Sequence, residues 1–199
     1  MLGVRIPSSP LFMNYIKISY GFLKGRIFNI PKNCFIKITT SKAKIGLFNI
    51  LNNYVIWENL NVLDLFCGSG NISYEFISRG VNKVDAVDIN YNLIKNIFFI
   101  SNKFKIKNKI NLFCSDVFLF LKKNKKKYNI IFMDPPFNIS FEELQKLLEK
   151  CLSFLFNNGF LIIENSIKNN NFIYKHNNYC MTRKYGKIYF NFLINKKKY

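Results

Sequence analysis

Histidine is nearly missing from this chain. His176 stands alone, which removes His-based metal sites and His-dependent catalytic triads from consideration. Long apolar runs are missing too. The longest uncharged stretches, Ile45–Trp57 and Cys151–Ile163, hold thirteen residues each, against about 20 needed to cross a bilayer. Neither a membrane nor a metal is expected as a partner. Pro7 and Pro10 break the apolar segment after Arg5, so it makes a poor export signal. The five cysteines, at 34, 67, 114, 151 and 180, are odd in number and form no C-x-x-C pair. They are expected to be reduced thiols in a cytoplasmic protein, neither a disulfide frame nor a zinc site.

Acids are missing from both ends. Residues 1–57 carry eight basic groups and no acid, and residues 165–199 carry eight more, again without an acid. The stretch 58–164 is nearly balanced, with fourteen basic and eleven acidic groups within a total net charge of +19. Codon bias towards Lys, Asn, Ile and Phe inflates the total but accounts less well for acid-free ends. A surface so cationic favours a polyanion, most simply nucleic acid. The run Lys122–Lys127 precedes a strand signal and reads as a solvated loop.

At 199 residues and 49% hydrophobic, the chain suits one domain with a small appendage. Tyr15–Tyr20 alternates, Gly21 and Gly25 punctuate, and Arg26–Ile30 continues, which predicts a β-hairpin. Thr40 or Ser41 can cap a helix through Leu51. These elements make residues 1–57 a basic extension and residues 58–199 the main unit. From residue 61 strands and helices alternate. Strands are predicted at 62–66, 83–88, 110–114, 128–133 and 160–163, with helices ending at Arg79 and covering 91–104, 117–121 and 141–152. That is the pattern of a parallel α/β sheet. Residues 173–181 and 187–194 read as a closing antiparallel pair around Tyr185–Gly186.

Ligands of such sheets bind beyond the carboxyl ends of the strands. The first strand of the main unit ends in Cys67-Gly68-Ser69-Gly70, and Asp88 closes the next strand 20 residues after Gly68. A carboxylate there can accept both ribose hydroxyls of a nucleoside. Ser73 stands where a dinucleotide fingerprint wants its third glycine, and Asp64 lies close by. Both disfavour a pyrophosphate. They suit S-adenosylmethionine, whose amino and sulfonium groups are cationic. Asp134-Pro135-Pro136-Phe137 follows the fourth strand of this unit. Two prolines fix φ twice and remove two N–H donors. Carbonyl oxygens, a carboxylate and an aromatic face remain, a set suited to gripping a planar base by its exocyclic amine.

With these motifs the chain resembles the class I S-adenosylmethionine-dependent methyltransferases of exocyclic amines, and within them the bacterial RsmD family. The likeness runs through Ile18–Arg26, Thr39-Thr40, Lys44, Leu47–Leu51, Leu63–Gly70, Ser78-Arg79-Gly80, Asp88, Ser115-Asp116, Asp134–Phe137 and Tyr185-Gly186-Lys187. It implies a Rossmann-like seven-stranded sheet, mostly parallel with a terminal antiparallel hairpin, preceded by a small β-hairpin and helix. It implies a monomer that methylates the N2 amine of a guanine in 16S rRNA, of the guanine(966) type, free or in an assembling small subunit.

By the same resemblance Asp64, Phe66, Gly68, Ser69 and Gly70 line the methionine end of S-adenosylmethionine. Asp88 takes the ribose, and Asp116 with the Val117 backbone takes the adenine edge. Asp134, Pro135, Pro136 and Phe137 bind the target base. Lys24, Arg26 and the segment Lys37–Lys44, with Lys37 and Lys42 foremost, touch RNA and close over the cofactor. The family's Arg-Pro-Thr-Thr reads Lys37-Ile38-Thr39-Thr40 here, and Ser41 and Ile45 replace an Asp and a Glu. Lysine lacks the planar fork of arginine. Two other readings fit the residues. One is the same chemistry on adenine in DNA or rRNA, which the tetrapeptide does not distinguish. The other is a non-catalytic RNA-binding protein on this fold, disfavoured by the intact Gly68, Gly70, Asp88 and Asp134–Phe137 set.

Overall fold

A computed structural model describes residues 15–31, 37–165 and 171–196 of the protein. β1 (Tyr15–Lys17) pairs antiparallel with β2 (Ile27–Asn29), and α1 (Ser41–Leu51) follows. The hairpin strands are short, but pairing continues past them. Ile18 N–H donates to Arg26 O and Gly25 N–H to Ile18 O. Thr40 is the N-cap of α1, its hydroxyl accepting from Ala43 N–H.

Strands and helices then alternate as β3 (Asn61–Leu65), α2 (Asn71–Ser78), β4 (Lys83–Asp88), α3 (Tyr91–Lys103), β5 (Ile110–Cys114), α4 (Val117–Lys123), β6 (Tyr128–Met133), α5 (Phe141–Ser153) and β7 (Leu155–Asn165). After α6 (Asn171–Tyr174), β8 (Tyr179–Tyr185) and β9 (Ile188–Ile194) complete one seven-stranded sheet of order β5-β4-β3-β6-β7-β9-β8. β3 to β7 run parallel, and β9 lies antiparallel between β7 and β8.

Side-chain alternation along the strands separates two cores. Val62, Ala86, Ile130, Phe132, Ile162 and Phe190 join α1, α2, α3 and the N-terminal hairpin in one. Leu63, Leu65, Val87, Ile131, Met133 and Ile163 pack with α4 and α5 in the other. The N-terminal extension thus shares its core with the sheet. Gly21, at φ +80°, lets the hairpin turn approach α2 so closely that a Cβ would lie 1.6 Å from Ser78 O.

Two expectations are corrected here. Residues 173–181 are not one strand. α6 and a turn precede β8, with His176 N–H donating to Ile173 O and Tyr179 N–H to His176 O, while Ile173 is buried in the second core. Lys44 does not present its charge to RNA. It is buried, with Nζ donating to Lys17 O (2.9 Å) and Asn71 Oδ1 (2.8 Å) and pairing with Glu75 (2.8 Å).

Among the described residues no helix is long and apolar enough to cross a membrane, and no cluster of acids, Cys or His is placed to hold a metal ion. Cys67, Cys114, Cys151 and Cys180 are free thiols, and Cys34 lies outside the described residues.

Candidate active site

The strand order reverses at β3, whose two neighbours β4 and β6 lead away in opposite directions, so a crevice opens beyond the carboxyl ends of β3 and β6. Register sets what lines it. Leu65 pairs with Val87 on β4 and with Met133 on β6, and Met133 pairs with Ile163 on β7. The next residue on each strand therefore falls in one row: Asp88, Phe66, Asp134 and Glu164. Adjacent strands lie about 4.8 Å apart, so two loops distant in sequence meet on one rim. Asp134 N–H reaches Leu65 O at 3.4 Å, and Cys67 N–H donates to Val87 O at 3.0 Å.

The glycine turn is held open by backbone conformation. Phe66, Gly68 and Gly70 have φ of 59°, 53° and 78°. Such values come easily to glycine but are strained for a phenylalanine, and strain of this kind gathers at functional sites. Asp88 braces the turn, with Oδ2 accepting from Gly68 N–H (2.8 Å) and Oδ1 from Asn90 N–H (2.8 Å). Ser69 is buried beneath. Ser115 N–H donates to Asp88 O, which brings the next predicted pair alongside. Asp116 caps α4 by accepting from Leu119 N–H at 3.0 Å, and Val117 is the first residue of that helix.

Asp64 lies two residues before the rim, buried, its Oδ2 accepting from Ser73 Oγ at 2.5 Å. The serine in place of a third glycine thus ties α2 to β3. Burial pushes the Asp64 carboxyl up to about 7, and Asp134 and Asp88 add to the rise. A buried carboxylate in this state suits a cationic ligand group, which would draw off its proton.

The tetrapeptide departs from β6 with Asp134 half-buried, Pro135 buried, and Pro136 and Phe137 exposed. Phe137 is 65% exposed, so much of its ring faces outward. Pro136 O accepts from Ile139 N–H at 3.1 Å. Burial, followed by the neighbouring Glu164, pushes Asp134 up to about 7, and Lys37 opposes them. Lys37 turns inward: its ammonium donates to Asp134 Oδ1, lies 3.0 Å from Glu164 Oε1 and sits 5.4 Å from the Phe137 ring centre. It is therefore no free surface cation.

The family described as Conserved hypothetical protein 95 matches residues 16–194. This chain belongs to that family. A curated relative, Ribosomal RNA small subunit methyltransferase D of Buchnera aphidicola subsp. Baizongia pistaciae, is 30% identical over 90% of this chain and 92% of its own length. The protein of the same name from Escherichia coli K12 is 29% identical over 75% of this chain and 71% of its own. Among solved structures, a putative methyltransferase from Escherichia coli superposes with a TM-score of 0.76 at 19% identity, over 92% of this chain and 99% of that one. The fold is the Rossmann-like class I methyltransferase fold.

Within this family member the remaining predicted residues do not sit together. Lys42 is exposed in the first turn of α1, whose leading segment meets the rim through Thr39 Oγ1, a 2.7 Å donor to Glu164 Oε2. Lys24 and Arg26 are elsewhere. Their turn rests on the C-terminal end of α2, and the Arg26 guanidinium lies 5.5 Å from the Phe104 ring at the end of α3. Both helices start at the rim and run away from it, α2 for about 12 Å and α3 for about 20 Å at 1.5 Å per residue. The turn does not close over the crevice.

Two rim residues escaped sequence reasoning. Glu164 is the last residue but one of β7, and Asp88 ends β4, so an acid recurring at the strand ends was the available signal. Ile89, 71% exposed, offers an apolar surface next to Asp88.

Proposed function

We propose that the protein transfers a methyl group from S-adenosylmethionine to the exocyclic N2 amine of a guanine in small-subunit rRNA, at the guanine(966)-type position that its family resemblance implies. The observation that supports this reading is the single row Asp88–Phe66–Asp134, along which a nucleoside held by Asp88 would lie near an amine held by Asp134. The relatives' names supply the rRNA substrate class.

The residues fit the cofactor. Asp88 takes the ribose hydroxyls. Asp64, with Phe66, Gly68, Ser69 and Gly70, takes the cationic methionine end, and the raised Asp64 carboxyl is the chemical reason. Asp116 and Val117 take the adenine edge, with Ile89 against its face. When bound, S-adenosylmethionine supplies an electrophilic methyl group on a sulfonium.

The chain's own residues prepare the nucleophile. Phe137 stacks on an unpaired or flipped base. Pro136 O is already used by Ile139, so Pro135 O and the Asp134 carboxylate accept the two amine protons. That turns the nitrogen lone pair towards the crevice, and Asp134 stabilises the charge that builds on nitrogen. Lys42 contacts phosphate near the rim. Lys24 and Arg26 contact a more distant part of the same RNA. The protein acts as a monomer in the cytoplasm.

Radiolabelled methyl transfer onto immature small subunits, naked 16S rRNA and duplex DNA, followed by mapping of the modified nucleotide, tests the reading. Label on a guanine N2 of 16S rRNA is expected. Label on adenine, or on DNA alone, overturns it. Asp134→Ala is expected to abolish transfer while cofactor affinity, measured by calorimetry, stays within a few-fold. Asp88→Ala is expected to lose cofactor binding.

A further inference from the structure

We propose that Lys37 and Glu164 are a positioning pair for Asp134: Lys37 grips and aims that carboxylate, and Glu164 holds Lys37 in place. The proposal rests on Asp134 being the acceptor of the target amine. Its basis is a three-residue cluster joined from two strand ends and the segment before α1. Lys37 Nζ donates to Asp134 Oδ1 and lies 3.0 Å from Glu164 Oε1. Glu164 is fully buried, and its Oε2 accepts from the Thr39 hydroxyl at 2.7 Å. Its Oε1 faces the ammonium as an ion pair outside hydrogen-bond geometry, and no described residue donates a hydrogen bond to it.

This geometry assigns each carboxylate oxygen a task. Asp134 Oδ1 is occupied by Lys37, which fixes the plane of the carboxylate and leaves Oδ2 for an incoming N–H. A protonated Asp134 would present a hydroxyl to an amine that is itself a donor, so ionisation matters for the grip. Burial and then Glu164 from β7 favour the proton on Asp134, and Lys37 opposes them, while Asp134 in turn raises Asp64 on β3. Lys37 can serve because its own charge is secure. Burial works against the ammonium, but Asp134 and Glu164 together outweigh it and raise its pKa. A lysine committed in this way is not a phosphate contact, although it stands in an acid-free segment.

Replacing either member of the pair moves Asp134 in opposite directions. With ¹³C-labelled aspartate, the Asp134 carboxyl resonance can be titrated in the full chain without substrate or cofactor. Lys37→Met is expected to raise the Asp134 midpoint by about 1–3 pH units, the range an adjacent opposite charge produces. Glu164→Gln is expected to lower it, and Lys37→Arg to restore a value near wild type. The acid limb of kcat/KM on rRNA should move with each midpoint, while the salt dependence of RNA affinity stays unchanged in Lys37→Met.

An Asp134 midpoint that stays put in Lys37→Met overturns the proposal. So does a Lys37→Met variant with a flattened salt slope and an unmoved midpoint, which would make Lys37 a phosphate contact. Thr39→Val, which frees Glu164 Oε2 without removing charge, serves if Glu164→Gln does not fold. Its Asp134 midpoint should change less than that of Lys37→Met, and an equal change counts against the pair. An inactive wild-type enzyme with the expected titrations would instead count against the proposed reaction.

Discussion

Lys44→Met should unhook the N-terminal hairpin from the sheet domain. Lys44 is 1% exposed, and its ammonium bridges three elements: Lys17 O of β1, Asn71 Oδ1 at the start of α2, and Glu75 within α2. Glu75 is fully buried, accepts from Ser19 N–H at 2.6 Å and also pairs with Arg79. Methionine fills most of the lysine stem's volume but removes the charge, so Glu75 keeps only one of its two cations. Removing one partner of a buried pair costs about 3–5 kcal/mol. Arg79 remains, which places the loss near the lower end, about 3 kcal/mol. For a chain of this size each kcal/mol lowers the midpoint by about 2–4 °C, so Tm should fall by about 6–12 °C. Hydrogen exchange locates the damage: the Ser19 amide should lose protection while β3 and β6 keep theirs. The double variant Lys44→Met/Glu75→Leu should be less stable than the single one, because it also takes the carboxylate from the buried Arg79 and the acceptor from Ser19 N–H. A fall in Tm under about 2 °C with Ser19 still protected, or a double variant as stable as wild type, would refute the reasoning.

Burial pushes Asp64 up from 3.8 to about 7, so between those values the folded chain holds a proton that the unfolded chain has released. Wild-type stability therefore falls as pH rises through that window and levels off above it. Asp64→Asn lacks this titration and should gain several degrees in Tm on wild type between about pH 5 and pH 8, at the expense of cofactor affinity; parallel pH profiles would contradict the assignment. Gly46→Ala should destabilise although alanine is the better helix former, because the new Cβ would lie 2.2 Å from the Tyr185 ring. Adding Tyr185→Ala should relieve that cost in thermal melts, and no relief would point to another cause. Neutralising Lys24 and Arg26 should reduce the salt slope of rRNA affinity by about 2 without changing kcat, since they lie away from the rim. A large fall in kcat would place them in the site.

The boundaries of β4, β5 and β6 were readable because each is a short segment with an apolar centre closed by a polar turn. The meeting of the two loops on one rim was readable for a related reason: glycine and proline mark loops whose backbones must take unusual conformations, and parallel topology puts such loops on one edge. The lysines were not readable. Lys37, Lys42 and Lys44 stand within eight residues of one another in an acid-free segment, yet one meets Asp134, one faces solvent and one is buried. Which of them turns inward depends on Glu164 and Glu75, more than 120 and about 30 residues away respectively. The placement of Lys24 and Arg26 was equally hidden, since it follows from the Gly21–Ser78 contact and not from the hairpin itself. Residues 173–181 misled because Ile173, an apolar residue in apparent alternation, is buried by a helical turn.

The charge distribution has a common logic once the rim is seen. Four of the chain's eleven acids, Asp64, Asp88, Asp134 and Glu164, gather at one crevice of a protein with net charge +19. The cationic outer surface draws a polyanion in, but the crevice repels its phosphates. What can enter is the part of a nucleotide that carries donors and no negative charge, the base edge, and on the other side a ligand with cationic groups. Attraction at long range and selection at short range thus come from opposite signs on the same molecule. Among the described residues Lys37 is the cation that pairs with the rim acids, and it is held by two carboxylates. Were it free to bind phosphate, it would draw an RNA backbone towards the rim acids instead.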